Sequence, residues 1–244
     1  MTPPVPAPPD PARPAPLGPV AEAQAMVREQ VAARGVADTR VLEAMGRLDR
    51  RLFVPDRHRA DAFSDNALPL LHGQTISQPY IVAAMTEALR LEPAHRVLEV
   101  GTGSGYQTAV LALLARHVTT VEQDPELAIE ADTRLRGVFR YKNIEFVVGD
   151  GSRGWATNAP YDRIIVTAAA PAVPAALFRQ LLVGGILVAP EGESGHGLLG
   201  EPRQVLRRWT KDEQGRLHVE DLMDVRFVPL IEGGSEPHAL RPGQ

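Results

Sequence analysis

The sequence predicts a doubly wound α/β fold: a mainly parallel seven-stranded sheet, a C-terminal antiparallel hairpin and extra helices at the N-terminus. Three observations predict it. Between residues 96 and 189, short apolar runs alternate with helix-forming segments. The first of these runs ends in Gly101, Gly103 and Gly105, directly ahead of helix formers. A strand, a glycine-rich turn and a helix N-terminus let backbone approach a nucleotide-like ligand closely. Near the C-terminus, two strand-like runs flank the turn-forming Asp212-Glu213-Gln214-Gly215.

The elements follow in order. Residues 20–33 carry apolar side chains at helical spacing, and Gly35 marks a stop. Asp38 suits an N-cap for a second helix reaching residue 48. Residues 50–62 are basic and read as a short helix with loops, and 63–78 lack a period and read as loop. Pro79 suits the first turn of a helix to residue 91. Strands are expected at 96–100, 118–122, 144–148, 163–167 and 185–189, with helices at 105–115, 125–138 and 173–182 between them. The runs 204–210 and 218–227 form the hairpin on the sheet edge.

Three segments are expected along the chain: a tail at 1–19, one globular domain at 20–232 and a loose end at 233–244. Nine of the first nineteen residues are proline, which lacks the amide donor of regular structure, so this tail reads as disordered or polyproline-like. The last dozen residues are rich in Gly, Pro and polar groups. The chain has 244 residues and no cysteine, which excludes disulfides, thiolate metal sites and a cysteine nucleophile. A net charge of −4 gives no electrostatic case for nucleic acid as a partner. No apolar run is long enough to span a membrane, and no secretory signal opens the chain, so a cytoplasmic enzyme is expected. Seven scattered histidines without an H-x-x-x-H pair disfavour a metal, and no G-x-S-x-G elbow supports a serine hydrolase.

The glycine spacing narrows the ligand. A dinucleotide fingerprint starting at Gly101 needs glycine at position 106, where Tyr106 stands. The pattern is instead Glu99-x-Gly101-x-Gly103-x-Gly105, which looks like the first motif of Rossmann-like S-adenosylmethionine-dependent methyltransferases. That cofactor has no pyrophosphate but carries an ammonium group, which Glu99 is expected to serve directly or through water. Glu122 ends the second strand, 17 residues after Gly105, where an acid accepts hydrogen bonds from both ribose hydroxyls. Asp124 competes for that role, but Asp-Pro at a helix start is the N-cap and first-turn pair. Asp150, beside Gly151 and just past the third strand, is placed to accept from an adenine amino group, and a turn aspartate between two glycines is the other reading.

A second block, from Pro69 to Tyr80, carries Gln74-Thr75-Ile76-Ser77-Gln78-Pro79. With 65–66, 85–87, 97–107, 149–155, 161–169, 184–190 and 225–230, it closely resembles the protein-L-isoaspartate O-methyltransferase family, over about residues 22–232. The resemblance implies a protein-repair enzyme. It methylates the free carboxylate of L-isoaspartyl residues, with D-aspartyl residues as a further class, and the ester then cyclises to a succinimide. It implies S-adenosylmethionine as cofactor, damaged proteins and peptides as partners, and a monomer. By resemblance, Ser77 is the active-site serine; Gln74, Thr75 and Ile76, with Gly101, Thr102, Gly103, Gly105 and Gly151, border the cofactor. Tyr80, Val228 and Pro229 border the substrate. Tyr80 stands where some members carry histidine, and residues 191–202 are longer and richer in glycine than is typical. Two rival readings stay open: a small-molecule methyltransferase of the same fold, and a silent member that binds without turnover.

Overall fold

The computed structural model describes residues 20–192 and 203–240. The expected proline-rich tail and most of the glycine-rich segment at 191–202 lie outside the described residues. One eight-stranded sheet organises the fold. Its parallel centre comprises β3 (Arg96–Val100), β4 (His117–Glu122), β5 (Ile144–Val148), β6 (Tyr161–Val166) and β7 (Leu181–Gly192). The hairpin of β8 (Gln204–Lys211) and β9 (Leu217–Val225) adds antiparallel to β7, and β10 (His238–Ala239) adds antiparallel to β5. The order is β10-β5-β4-β3-β6-β7-β8-β9. Ahead of the sheet, β1 (Leu68–Pro69) and β2 (Thr75–Ile76) form a small antiparallel ribbon.

The helices are α1 (Ala21–Met26), α2 (Thr39–Gly46), α3 (Pro79–Ala88), α4 (Tyr106–Leu114), α5 (Pro125–Asp132) and α6 (Ala175–Gln180). Asp38 and Asp124 cap α2 and α5 through their side chains, with Pro125 in the first turn of α5. Two helices change character where the sequence suggests uniform ones: α1 runs into the wider turn Val27–Val31, and α5 into Thr133–Val138.

Strand pleating divides the core. Along β3, Val97 faces a core built with α2, α3 and α4, whereas Leu98 and Val100 face a second core containing Tyr161, Leu177 and Trp209. Each fully buried Leu or Ile in these layers contributes roughly 2 kcal/mol. Glu99 shares the side of Val97 and is also fully buried, an exception with consequences for the site.

Three sequence expectations change. The sheet gains an eighth strand, because His238–Ala239 pairs through its backbone with Val147 and Val148. The end of the chain is therefore not loose through residue 240: the Leu240 amide donates to Phe146 O at 2.8 Å. The stretch 63–78 is not all loop, since Leu68 and Pro69 pair with Ile76 and Thr75. Among the described residues, no helix is long and apolar enough to cross a membrane.

Candidate active site

A cleft of about 1040 Å³ opens beyond the carboxyl ends of β3, β4 and β6, where open α/β sheets bind ligands. One wall is the turn between β3 and α4. Gly101 sits at φ +95°, its amide donates to Val121 O at 2.8 Å, and a Cβ there would lie 2.3 Å from Thr167 Oγ1. Thr167 Oγ1 donates to Gly101 O at 2.7 Å, so the turn is clamped from β6 as well. Gly151 closes the floor, where an added Cβ would meet Val100 Cγ1 at 2.5 Å.

Glu122 is held at the edge of the turn. Its Oε2 accepts from the Gly103 amide at 2.8 Å and its Oε1 from the Asp124 amide at 3.0 Å. Burial pushes its carboxyl pKa upward, against the lowering effect of these amides. Glu122, Thr102 and Gly103 all line the cleft.

The opposite wall is the β1–β2 ribbon together with the segment leading into α3. Gln74, Thr75, Ile76 and Ser77 line the cleft. At the ribbon tip, His72 (φ +52°) and Gly73 (φ +74°) make the turn, and the Leu70 amide donates to Gln74 O at 2.8 Å. His72 Nδ1 hydrogen-bonds to Asp124 Oδ2, and its Nε2 lies 3.5 Å from Glu126 Oε2. The ribbon is thereby tied to the cap of α5. Ser77 precedes the N-cap Gln78, and its hydroxyl has no hydrogen-bond partner among the described residues. Tyr80 carries the Arg34 guanidinium 3.6 Å from its ring centroid, and Arg34 pairs with Asp65 at 3.2 Å. Val228 and Pro229 complete the rim. The Ala169 amide donates to Val228 O at 2.8 Å and the Leu230 amide to Ala169 O at 2.7 Å, fixing this segment beyond β6.

Three expected site residues stand behind the wall instead of on it. Glu99 faces away from the cleft: its Oε2 accepts from Thr108 at 2.6 Å and Thr120 at 2.7 Å. Burial pushes its carboxyl up to about 8. The cleft meets this acid only indirectly, because Thr120 also bonds Thr102 Oγ1 at 2.6 Å. With the Thr120 proton directed to Glu99, Thr102 donates inward and keeps its lone pairs for the cleft. Gly105 (φ +80°) starts α4, and a Cβ there would press on Leu135 at 3.1 Å and Ala131 at 3.3 Å; helix packing is its reason to be glycine. Asp150 behaves as a turn aspartate. Its Oδ1 accepts from Ser152 N at 2.9 Å and its Oδ2 from Gly233 N at 3.0 Å, so its carboxylate holds the C-terminal segment. The hydrogen bonds to Ser152 and Gly233 keep its carboxyl below the usual range despite the opposing effect of burial.

Sequence reasoning missed Thr167 and His72. Thr167 stood at the end of an expected strand, the only signal for it. His72 sat in the singled-out block without a visible partner, because Asp124 is 52 residues away.

The arrangement suits an adenosyl group with an amino-acid end. Glycines stand where side chains would collide with Thr167 or Val100, an acid with free lone pairs faces the cleft, and a hydroxyl acceptor in Thr102 is set for a cation. Among the described residues, no three His, Asp or Glu side chains cluster as metal ligands would.

Comparison with known proteins bears on this cleft. Residues 21–235 match the family described as protein-L-isoaspartate(D-aspartate) O-methyltransferase. The chain is 50% identical over 211 residues to a protein-L-isoaspartate O-methyltransferase of Synechococcus sp. (strain JA-2-3B'a(2-13)), covering 86% of each chain. It is 51% identical over 202 residues to the protein of the same name from Anaeromyxobacter dehalogenans (strain 2CP-C), covering 83% of this chain and 94% of that one. A solved protein-L-isoaspartate O-methyltransferase superposes with a TM-score of 0.73 and 26% identity, over 84% of this chain and 65% of that one. A structure from Plasmodium falciparum in complex with S-adenosyl-L-homocysteine superposes with a TM-score of 0.72 and 24% identity, over 86% of this chain and 99% of that one, and shares the fold.

Proposed function

This chain belongs to the protein-L-isoaspartate(D-aspartate) O-methyltransferase family, and from that membership we infer that it is a repair enzyme acting on isoaspartyl residues. It moves a methyl group from S-adenosylmethionine to the free carboxylate of an L-isoaspartyl residue in a damaged protein or peptide; D-aspartyl residues are a further class. The ester then cyclises to a succinimide without the enzyme. The single observation that carries the reading is the pairing of walls: the Gln74–Ser77 stretch faces the Gly101–Gly103 turn across one cleft.

S-adenosylmethionine supplies a methyl on a sulfonium centre that departs as a neutral thioether. Glu122 is the acid for the ribose hydroxyls, and its backbone-held carboxylate supports that role. Thr102 accepts from the ammonium end, with Glu99 acting through Thr120. Gln74, Thr75, Ile76, Gly101, Gly103 and Gly151 border the cofactor, and their position on the cleft supports this. Asp150 is not retained as an adenine ligand, and Gly105 serves the helix start.

The acceptor needs little activation. A carboxyl with a pKa near ~4 is ionised at neutral pH, so no general base is required. What remains is orientation, worth roughly 7–11 kcal/mol in favourable cases. Ser77, whose hydroxyl has no hydrogen-bond partner among the described residues, hydrogen-bonds one carboxylate oxygen and aims the other in line with the methyl group. Tyr80, Val228 and Pro229 hold the surrounding peptide.

The enzyme acts in the cytoplasm as a monomer, without nucleic acid. The domain spans residues 20–232, with the matched family region 21–235 in support. The test is methylation of an isoaspartyl peptide beside its aspartyl twin. Labelled methyl should enter only the isoaspartyl peptide and leave as methanol in mild base. A base-stable product, or equal labelling of both peptides, would exclude carboxyl repair. Gel filtration at working concentration reads the oligomeric state.

A further inference from the structure

Arg50 lies at the start of a short helical turn, Arg50–Phe53, with 0% exposure. Its Nη2 donates to the carbonyl of Ser77 at 2.7 Å. Its guanidinium carbon sits 4.8 Å from the ring centroid of Tyr106, the first residue of α4 and a cleft-lining side chain. Phe53, from the same turn, packs edge-on against that ring at 5.2 Å. Among the described residues no carboxylate pairs with Arg50; the Tyr106 hydroxyl is the one acidic group that favours its charge, and its Nε and Nη1 make no hydrogen bond of normal geometry. Burial lowers its pKa to about 10, which leaves it cationic at neutral pH.

A buried, uncompensated guanidinium is a poor choice for packing alone. Methionine or leucine would fill the space without desolvating a charge. The arginine instead spans the two halves of the site, touching the acceptor serine by a charge-assisted hydrogen bond and the donor helix through Tyr106. Its charge is also opposite to that of the acceptor. Without a carboxylate beside it, and in a region of low dielectric, its field reaches the neighbouring cleft little screened.

We propose that Arg50 is a positioning residue for the methyl acceptor: it fixes Ser77 through its carbonyl, and its uncompensated charge favours a carboxylate at the Ser77 end of the cleft. The inference rests on the reading of Ser77 as the carboxylate-holding residue. It does not extend to cofactor binding, since Arg50 does not line the cleft.

The experiment compares wild type, Arg50→Gln, Arg50→Lys, Ser77→Ala and the double variant Arg50→Gln/Ser77→Ala. The readouts are kcat and KM for an isoaspartyl peptide and the Kd for S-adenosylhomocysteine. Arg50→Gln should lower kcat/KM about 10- to 100-fold, chiefly through peptide KM, with Kd for S-adenosylhomocysteine changed by less than about twofold. Arg50→Lys should recover part of the loss. The double variant should lose no more than the worse single one, because Arg50 acts through Ser77. Normal peptide kinetics in Arg50→Gln would overturn the proposal. So would equal losses in Gln and Lys with parallel weakening of S-adenosylhomocysteine, or failure of both variants to fold, either of which assigns Arg50 to the core alone. If wild type does not distinguish the isoaspartyl peptide from its twin, the parent reading fails instead.

Discussion

The carboxylate of Glu122 accepts a hydrogen bond from the Gly103 amide at 2.8 Å, joining the end of β4 to the glycine turn after β3. Its other oxygen accepts from the Asp124 amide. A glutamine here has one acceptor oxygen and must turn its amide against one of those N–H groups. Glu122→Gln should weaken S-adenosylhomocysteine binding about tenfold or more by calorimetry, from the ~1.5–3 kcal/mol of a charged hydrogen bond. Unchanged affinity would remove Glu122 from the ribose site.

Ser77→Ala should lower kcat/KM for an isoaspartyl peptide by about 10- to 100-fold while Kd for S-adenosylhomocysteine stays within about twofold. A fall of that size with cofactor binding intact separates orientation from donor binding. Full turnover in this variant would exclude the role.

The His72–Asp124 contact makes the ribbon pH-sensitive. The hydrogen bond that His72 donates to the Asp124 carboxylate, and the charge of that carboxylate, raise the His72 pKa above 6.5. Burial raises the Asp124 carboxyl, but the hydrogen bonds from His72, Leu127 and Glu126 outweigh it and hold the group below 3.8. The histidine's contribution is complete below 6.5 and is lost as pH rises through its raised value. The aspartate's is complete above 3.8 and lost as pH falls through its lowered value. Between them the ribbon is fastened. Amide exchange of residues 70–76 should therefore speed up, beyond its intrinsic pH dependence, at alkaline pH in wild type. In His72→Gln it should be fast at every pH; identical protection in both proteins would refute the fastening.

Glu99 predicts a stability profile. Its folded pKa of about 8 exceeds the ordinary 4.5, so the fold favours the neutral form. Stability from this group is complete below 4.5 and declines as pH rises towards 8, by roughly 3 kcal/mol at pH 7 at about 1.4 kcal/mol per pH unit. Glu99→Gln keeps an oxygen for Thr108 and Thr120 and cannot ionise. Its melting temperature relative to wild type should rise steadily between pH 5 and pH 8, and a constant difference would disprove the assignment.

Gly101→Ala should destabilise the fold by about 1–3 kcal/mol, because φ +95° strains an alanine and its Cβ would overlap Thr167 Oγ1. Urea unfolding measures this. Adding Thr167→Ala should relieve the collision and return part of the loss.

Much of the scaffold was legible in the chain because its cause is local. The glycines, the Asp124-Pro125 cap and the β8–β9 turn each announce themselves within a few residues. Glu122 was equally readable, since the strand length places it at a carboxyl end. The place of Glu99 behind Thr120 and Thr102 was not readable, because pleating puts alternate residues on opposite faces and the sequence does not say which face borders the cleft. Asp150 had a cleft-facing and a turn reading, and a partner 83 residues away, Gly233, separated them. Arg50 was invisible as a site residue, because only tertiary packing brings it under Ser77. The strand at His238–Ala239 carries no propensity signal, because backbone pairing alone makes it.

That last strand also sets the order in which the molecule can be finished. Val148 pairs with His238, some ninety residues further along. During synthesis β5 therefore emerges with an unpaired edge, and Asp150 waits for Gly233 and Ser235 to reach it. Until then the chain presents an open strand edge to any extended segment nearby. A protein that mends others thus passes through a stage in which its own sheet is open to misjoining.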